Sequence, residues 1–122
     1  EMHGSNLRTL LQKVDAYSDQ PILMEHFYSK FGSETDCGET GDDFANGVPY
    51  WLFVRKDQYK YIRTLVPNEI EELYDLKTDP MELKNLALDP QYESVVMDYR
   101  TYLMDELKRT NAGFIDAMPA VR

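Results

Sequence analysis

Residues 72–76 read Glu-Leu-Tyr-Asp-Leu, and this alternation of polar and apolar side chains is typical of a strand with one buried face. Because successive side chains of a strand point to opposite faces, Leu73 and Asp75 are predicted to share one face. The pattern also predicts a first strand early in the chain and a hairpin that turns at Asp57-Gln58. The four predicted strands are residues 22–28, 49–54, 59–65 and 72–76.

Two Asp-Pro pairs after the last strand predict helix starts, because aspartate caps free backbone N–H groups and proline suits the first helical position. After Asp79-Pro80, Glu82 is expected to complete a capping box. After Asp89-Pro90, apolar residues recur at spacings of three and four and predict a long helix over residues 91–109. These apolar residues are Val95, Val96, Tyr99, Tyr102, Leu103 and Leu107. The predicted fold class is α+β, a four-stranded antiparallel sheet packed by a long C-terminal helix.

The remaining segments show weaker patterns. Ser5 is expected to cap a short helix, and residues 29–47 lose all periodicity and are predicted to form a long acidic loop. Residues 111–122 are predicted to form an extended tail. At 122 residues and 43% hydrophobic content, the chain is long enough for one modest core, so a single domain is expected.

The strand at residues 49–54 carries large apolar side chains on both faces, including Trp51. A sheet covered by one helix needs only one apolar face, and the other face is ordinarily polar. An exposed patch of this kind is larger than a monomer normally tolerates. We therefore expect the far face of the sheet to meet another polypeptide surface.

Charge and composition narrow the classes of partner. The chain has 13 basic and 22 acidic residues, a formal net charge of -9, which opposes phosphate backbones and anionic lipid surfaces. No segment approaches the roughly 20 apolar residues of a membrane span. We therefore expect neither nucleic acid nor a membrane as a partner.

Candidate chemistry is sparse. Cys37, the only cysteine, lies among carboxylates that disfavour its thiolate, and the acidic loop around it lacks the ligand spacing of a calcium-binding EF-hand. His26 is predicted to lie beside Arg55 and Lys56, where a cluster of cations would meet an anionic substrate. Trp51 offers a stacking platform for a sugar, although a tryptophan in an apolar run more often belongs to a core. No metal-binding spacing and no catalytic arrangement of nucleophile, base and orienting group is recognisable.

Residues 72–87 resemble the closing signature of the sulfatases. The matching residues are Glu72-Leu73-Tyr74-Asp75-Leu76, Asp79-Pro80, Glu82 and Asn85-Leu86-Ala87. The hairpin is similar as well, with Trp51, Val54-Arg55 and Tyr59-Lys60-Tyr61-Ile62, and so is the opening segment with His3-Gly4, Leu7 and Leu10-Leu11. The resemblance thus extends over nearly the whole chain.

The resemblance implies a two-domain hydrolase whose catalytic domain holds calcium and a formylglycine made within a Cys/Ser-x-Pro-x-Arg motif. That motif is absent here, since Glu39 and Gly41 occupy the positions after Cys37 where it requires Pro and Arg, so no catalytic, cofactor-binding or metal-binding residue is expected in this chain. We expect a C-terminal subdomain, a region often labelled a domain of unknown function, that docks on the catalytic domain of the same parent chain and shapes its substrate pocket. Residues 1–20 would close the catalytic domain, residues 21–110 would form the sheet and helices, and residues 111–122 the tail. Sulfated glycans are the expected substrates, and the expected compartment is periplasmic, extracellular or lysosomal.

Two alternatives remain open. The chain is also compatible with a free-standing module that binds carbohydrate or protein, with Trp51 as the platform. It is also compatible with the same subdomain of a phosphoester or phosphonate hydrolase, because these relatives share the fold.

Overall fold

A computed structural model describes residues 21–26, 44–45, 48–49, 51–65 and 69–121. Its main sheet has four antiparallel strands in the order β1-β4-β5-β6, and the long helix α1 lies near the C-terminus. The strands are β1 (Ile22–His26), β2 (Phe44–Ala45), β3 (Val48–Pro49), β4 (Trp51–Lys56), β5 (Tyr59–Thr64) and β6 (Glu72–Asp75), and the helix is α1 (Glu93–Arg109). Strands β2 and β3 pair with each other in a separate two-stranded ribbon. The predicted α+β fold class is confirmed.

The core lies between one face of the main sheet, here called the inner face, and α1. The sheet contributes alternate residues of each strand, as a period of two requires, and the helix contributes residues three or four apart. The fully or almost fully buried members are Leu52, Val54, Tyr61 and Leu73 from the sheet and Val96, Tyr99, Leu103 and Leu107 from the helix. Burying each such side chain stabilises the fold by about 2 kcal/mol relative to leaving it exposed.

Local sequence explains both ends of α1. Asp89 accepts a hydrogen bond from the backbone N–H of Gln91 at 3.0 Å, Pro90 opens a 3₁₀ turn (Pro90–Tyr92), and α1 follows directly. The helix start predicted at the second Asp-Pro pair is therefore confirmed. At the other end Asn111 adopts a left-handed φ of 56°, and the N–H of Ala112 reaches the carbonyl of Leu107 at 2.9 Å. This is the Schellman ending, in which asparagine takes the position that glycine usually fills.

The helix start predicted at Asp79-Pro80 is wrong. The carboxylate of Asp79 accepts a hydrogen bond from the N–H of Lys84, five residues on, at 2.8 Å, and no helix follows. Glu82 has a φ of 56°, which ends any right-handed helical run at that residue, and its carboxylate binds Lys60 instead of the backbone of Asp79. Tertiary contacts therefore override a valid local capping signal.

The predicted extended tail also needs correction. Phe114 is buried against the core, a 3₁₀ turn (Ile115–Ala117) follows, and Arg63 donates a hydrogen bond to the carbonyl of Pro119. These contacts hold the segment after α1 against the sheet and the helix.

Other predictions shift by a few residues or lie elsewhere. The strand predicted over residues 49–54 begins at Trp51, because Val48–Pro49 belongs to the separate ribbon. The predicted N-terminal helix, most of the acidic loop and Cys37 lie outside the described residues. No helix in the described part of the chain is long and apolar enough to cross a membrane.

Candidate functional site

The face of the main sheet opposite α1, here called the outer face, is defined by strand register. Residues directly opposite each other on antiparallel strands share a face, and alternate residues of one strand do so too. The pairing produces three rows across the sheet. The rows are His26, Trp51 and Thr64; Met24, Phe53, Ile62 and Glu72; and Ile22, Arg55, Lys60 and Tyr74.

A continuous set of ring contacts lies across this face. The ring of His26 stacks on Trp51 with centroids 5.2 Å apart, and Trp51 stacks on Phe53 at 5.9 Å. The ammonium of Lys60 lies 5.0 Å from the centroid of Phe53 and also binds the carboxylate of Glu82 at 2.7 Å. Stacked rings and a cation over a ring face each stabilise a surface modestly and fix the side chains in place.

The outer face has large apolar side chains that are only partly covered. Ile22 and Met24 are 60% and 52% exposed, and Trp51 and Phe53 are partly exposed. Arg55 is exposed as well, and within the described residues it makes no hydrogen bond or ion pair. The strand β4 is therefore apolar on both faces, as its sequence predicts, and α1 covers one of them.

The three predicted substrate-binding cations do not form a cluster. His26 lies opposite Trp51, whereas Arg55 lies opposite Ile22, four residues further along and about 13 Å away at 3.3 Å per residue. Lys56 is on the inner face, with its ammonium 4.2 Å from the ring centroid of Tyr102. The predicted arrangement is wrong, because Arg55 and Lys56 are adjacent in a strand and point to opposite faces. A role for His26, Arg55 and Lys56 at a substrate rim stays a prediction.

A half-buried ion pair that sequence reasoning missed joins the sheet to α1. Glu71 is 5% exposed, and its carboxylate accepts hydrogen bonds from Arg100 through both Nε, at 3.0 Å, and Nη2. The hydroxyl of Tyr61 donates to the same carboxylate at 2.6 Å. Burial and this hydrogen bond raise the pKa of Tyr61 well above its ordinary value, and the bonds from Glu71 raise the pKa of Arg100.

Sequence offers little signal for this pair. Glu71 lies in a polar run before β6, and Arg100 is 29 residues away on α1. The one clue is that Arg100 follows Val96 by four positions and precedes Leu103 by three, so it borders the apolar stripe of the helix. A long-range ion pair of this kind is visible only after the sheet and helix are packed.

Residues of the sulfatase-like signature attach the segment after β6 to that strand by hydrogen bonds. Asn85 accepts the N–H of Leu73 at 3.0 Å and of Ala87 at 2.9 Å, and it donates to the carbonyl of Glu71 at 3.1 Å. The N–H of Leu86 reaches the carbonyl of Leu73 at 2.8 Å. The segment that follows β6 thus hydrogen-bonds along the edge of that strand, which otherwise presents unpaired backbone groups.

A cavity of about 380 Å³ lies beside the Glu71–Arg100 ion pair, and its lining combines carboxylates and one guanidinium with apolar side chains. Its lining residues are Glu71, Ala87, Leu88, Asp89, Pro90, Glu93, Val96, Met97 and Arg100. Among the residues that the structure describes, no group of three or more His, Cys, Asp or Glu side chains is placed to hold a metal ion.

Fold and outer face together define a class: an α+β domain whose own helix covers one face of the sheet, and whose other face has large apolar side chains that are partly exposed. The profile of the family described as N-sulphoglucosamine sulphohydrolase, C-terminal, matches residues 1–110. The chain belongs to this family of C-terminal sulfatase subdomains, as its resemblance implies.

Known relatives agree with this assignment. The chain is 31% identical over 126 residues to a Delta 4,5-hexuronate-2-O-sulfatase of Bacteroides thetaiotaomicron, covering 100% of this chain and 23% of that protein. It is 31% identical to a solved 2-O GAG sulfatase with a TM-score of 0.61, covering 88% of this chain and 20% of that one. The phosphonate monoester hydrolase of Agrobacterium radiobacter, 22% identical with a TM-score of 0.62, shares the fold over 89% of this chain and 21% of its own. The chain thus spans less than a quarter of each relative.

Proposed function

We propose that this chain completes a sulfatase by docking its outer face on the catalytic domain of the same parent polypeptide and shaping the substrate pocket there. The observation that supports this proposal best is the outer face itself, where Met24 and Ile22 are more than half exposed beside the ring contacts of Trp51 and Phe53. The relatives are at least four times longer than the region they share with this chain, so a covering surface is available in a protein of that type.

The arrangement of apolar and polar side chains on the outer face suits such a contact. A stable interface buries about 800 Å² on each partner, with an apolar centre and a polar rim. On the outer face the apolar side chains occupy the middle row and the rings of β4, while Arg55, Lys60 and Tyr74 lie in a more polar row beside them. Arg55, which lacks a partner in the described residues, would pair with a carboxylate of the catalytic domain.

The names of the relatives suggest the substrate class. One is a hexuronate-2-O-sulfatase and another is a 2-O GAG sulfatase. We propose that the parent protein hydrolyses sulfate esters of uronic-acid glycans, with calcium and formylglycine held by its catalytic domain. A periplasmic or extracellular location suits such polymeric substrates.

One observation favours a second candidate. The fold is shared with a phosphonate monoester hydrolase, so the parent catalytic domain is also compatible with phosphonate or phosphate esters. Turnover by the parent protein of a sulfate ester compared with the matching phosphonate ester discriminates the two. The free-standing glycan-binding alternative rests on Trp51, whose ring already stacks on His26 and Phe53.

A matched pair of methionines tests the docking proposal. Met24 on the outer face and Met97 on α1 are 52% and 54% exposed, so either tolerates a charge in the chain alone. In the parent protein, Met24→Asp is expected to lower the melting temperature and the turnover of a 2-O-sulfated unsaturated disaccharide, because it buries a charge at the interface. Met97→Asp is expected to change neither.

The same assay addresses catalysis. The 122-residue chain alone is expected to show no turnover of an aryl sulfate or of the disaccharide. Calcium-dependent turnover by the chain alone would overturn the proposal, as would equal behaviour of the two methionine variants in the parent protein.

A further inference from the structure

The turn formed by residues 79–84 is fixed at three points. The N–H of Lys84 donates to the carboxylate of Asp79 at 2.8 Å, and the N–H of Glu82 donates to the carbonyl of Asp79 at 3.1 Å. The carboxylate of Glu82 binds the ammonium of Lys60 at 3.0 and 2.7 Å. Because Lys60 belongs to the outer face, the turn is attached to the border of that face at β5 and β6.

This fixed turn exposes large apolar side chains. Met81 and Leu83, on either side of Glu82, are 74% and 84% exposed. Turns of this length are normally built from small or polar residues, whose exposure to water has no apolar cost. A left-handed φ at Glu82, a residue without glycine's freedom, adds backbone strain that the contacts to Lys60 and Asp79 must hold. The turn is thus both strained and apolar at its surface.

We propose that Met81 and Leu83 are anchors that insert into an apolar site on the parent catalytic domain, and that the Lys60–Glu82 ion pair holds the turn in position for this contact. The inference rests on the proposed function and deepens it, because it names a docking element beyond the sheet. The occupant is the remainder of the parent polypeptide, since the relatives carry more than three quarters of their length outside the region matched by this chain.

The turn and the outer face form one continuous surface. The ammonium of Lys60 bridges them, with the ring of Phe53 5.0 Å away on one side and the carboxylate of Glu82 on the other. A partner that covers Phe53 therefore reaches the turn as well. Interface anchors are large side chains seated in well-packed pockets and surrounded by contacts that exclude water.

The test uses a control of the same composition elsewhere on the chain. Leu88 and Met97 are 67% and 54% exposed and line the cavity at the start of α1, away from the turn. In the parent protein, the double variant Met81→Ser/Leu83→Ser is expected to lower the melting temperature by several degrees, and Leu88→Ser/Met97→Ser is expected to leave it unchanged. In the 122-residue chain alone, both double variants are expected to melt as the unsubstituted chain does.

Amide hydrogen exchange supplies a second measurement that does not depend on folding of the variants. The N–H groups of Glu82 and Lys84 are expected to exchange roughly tenfold more slowly in the parent protein than in the chain alone, because docking suppresses opening of the turn. Equal exchange rates in the two proteins, or equal melting of the two double variants, would overturn the proposal for the turn.

Failure of this proposal is distinguishable from failure of the proposed function. If Met24→Asp weakens the parent protein while the turn variant does not, docking through the sheet stands and the turn is not an anchor. If the chain alone forms a dimer in light scattering and Met81→Ser/Leu83→Ser abolishes it, the occupant is a second copy and the inference is wrong. If the unsubstituted parent protein has no sulfatase activity, the proposed function itself is wrong.

Discussion

The inner and outer faces of the main sheet are built from the same four strands and are covered very differently. On the inner face, Leu52 and Val54 have no exposed surface beneath α1. On the outer face, their neighbours Trp51 and Phe53 in the same strand are partly exposed, and Met24 is 52% exposed. The comparison teaches that alternation along a strand identifies which side chains share a face. Whether the chain itself covers that face is a separate question, decided by how many layers it builds.

The largest expected difference between the faces is in the cost of truncating a side chain. Leu52→Ala on the inner face removes fully buried atoms and leaves a cavity, so we expect the free energy of unfolding to fall by about 3 kcal/mol. Met24→Ala on the outer face is expected to lower it by less than about 1 kcal/mol, because half of that side chain already contacts solvent. Urea unfolding of the 122-residue chain, followed by circular dichroism, measures both.

The same two variants in the parent protein test whether another domain covers the outer face. If a catalytic domain covers the outer face, Met24→Ala becomes more costly there than in the chain alone, while Leu52→Ala costs the same in both. A cost for Met24→Ala as large as that for Leu52→Ala in the isolated chain would show that the chain covers both faces itself, and the inner–outer distinction would be wrong.

Local patterns predicted most of the inner face. The start of α1 follows from Asp89 and Pro90, because a cap and a proline act within one turn, and the buried side of the helix follows from the spacing of Val96, Tyr99 and Leu103. The pairing of β4 with β5 follows from the short turn between them, whose residue Asp57 adopts a φ of 50°. Each of these features depends on residues that are close in sequence.

The features that sequence reasoning missed depend on distant residues. The same capping chemistry fails at Asp79 because Glu82 is drawn to Lys60, 22 residues away. The pairing of Glu71 with Arg100 depends on how the helix crosses the sheet, which no local pattern encodes. The cation cluster differs from these features, because the strand period alone places Arg55 and Lys56 on opposite faces.

The next largest expected effect is the loss of stability at alkaline pH. It differs between the two faces, because each has one tyrosine with a raised pKa. Burial and the bond to Glu71 raise the pKa of Tyr61 on the inner face. Below about pH 10 the folded and unfolded states both keep that proton, and above it the unfolded chain releases its proton first. Stability is therefore fully present below pH 10 and falls as pH rises, by up to about 1.4 kcal/mol per pH unit for one tyrosine.

Phenylalanine substitutions check the assignment. Tyr61→Phe is expected to make the decline above pH 10 shallower, at a cost of about 1 kcal/mol near neutrality for the lost hydrogen bond. Burial and a hydrogen bond to Glu72 also raise the pKa of Tyr74 on the outer face, but this side chain is partly exposed and solvent weakens the effect. Urea unfolding between pH 8 and pH 11 covers the ordinary tyrosine pKa of about 10. The decline of stability with pH is expected to change less for Tyr74→Phe than for Tyr61→Phe. A larger change for Tyr74→Phe than for Tyr61→Phe would contradict the assignment of the alkaline decline to the inner face.

The smallest expected effect concerns backbone strain at the edge of the outer face. Glu82 has a φ of 56°, a conformation that costs a residue with a side chain about 1 kcal/mol more than glycine. Its ion pair with Lys60 is partly exposed and is expected to contribute about 0.5 kcal/mol. Glu82→Ala loses the ion pair and keeps the strain, so we expect it to destabilise the chain by about 0.5 kcal/mol. Glu82→Gly loses the same ion pair and removes the strain, so we expect it to be about 1 kcal/mol more stable than Glu82→Ala.

The sign of the stability difference between Glu82→Gly and Glu82→Ala reports the backbone strain, because both variants delete the same contacts and differ only in backbone freedom. Denaturant unfolding of the two variants side by side measures it directly. If Glu82→Ala is the more stable of the two, the left-handed conformation is not a source of strain. If glycine is favoured, the native turn is strained at Glu82, and the Lys60–Glu82 ion pair holds it in that conformation, which is the position that docking of the turn requires.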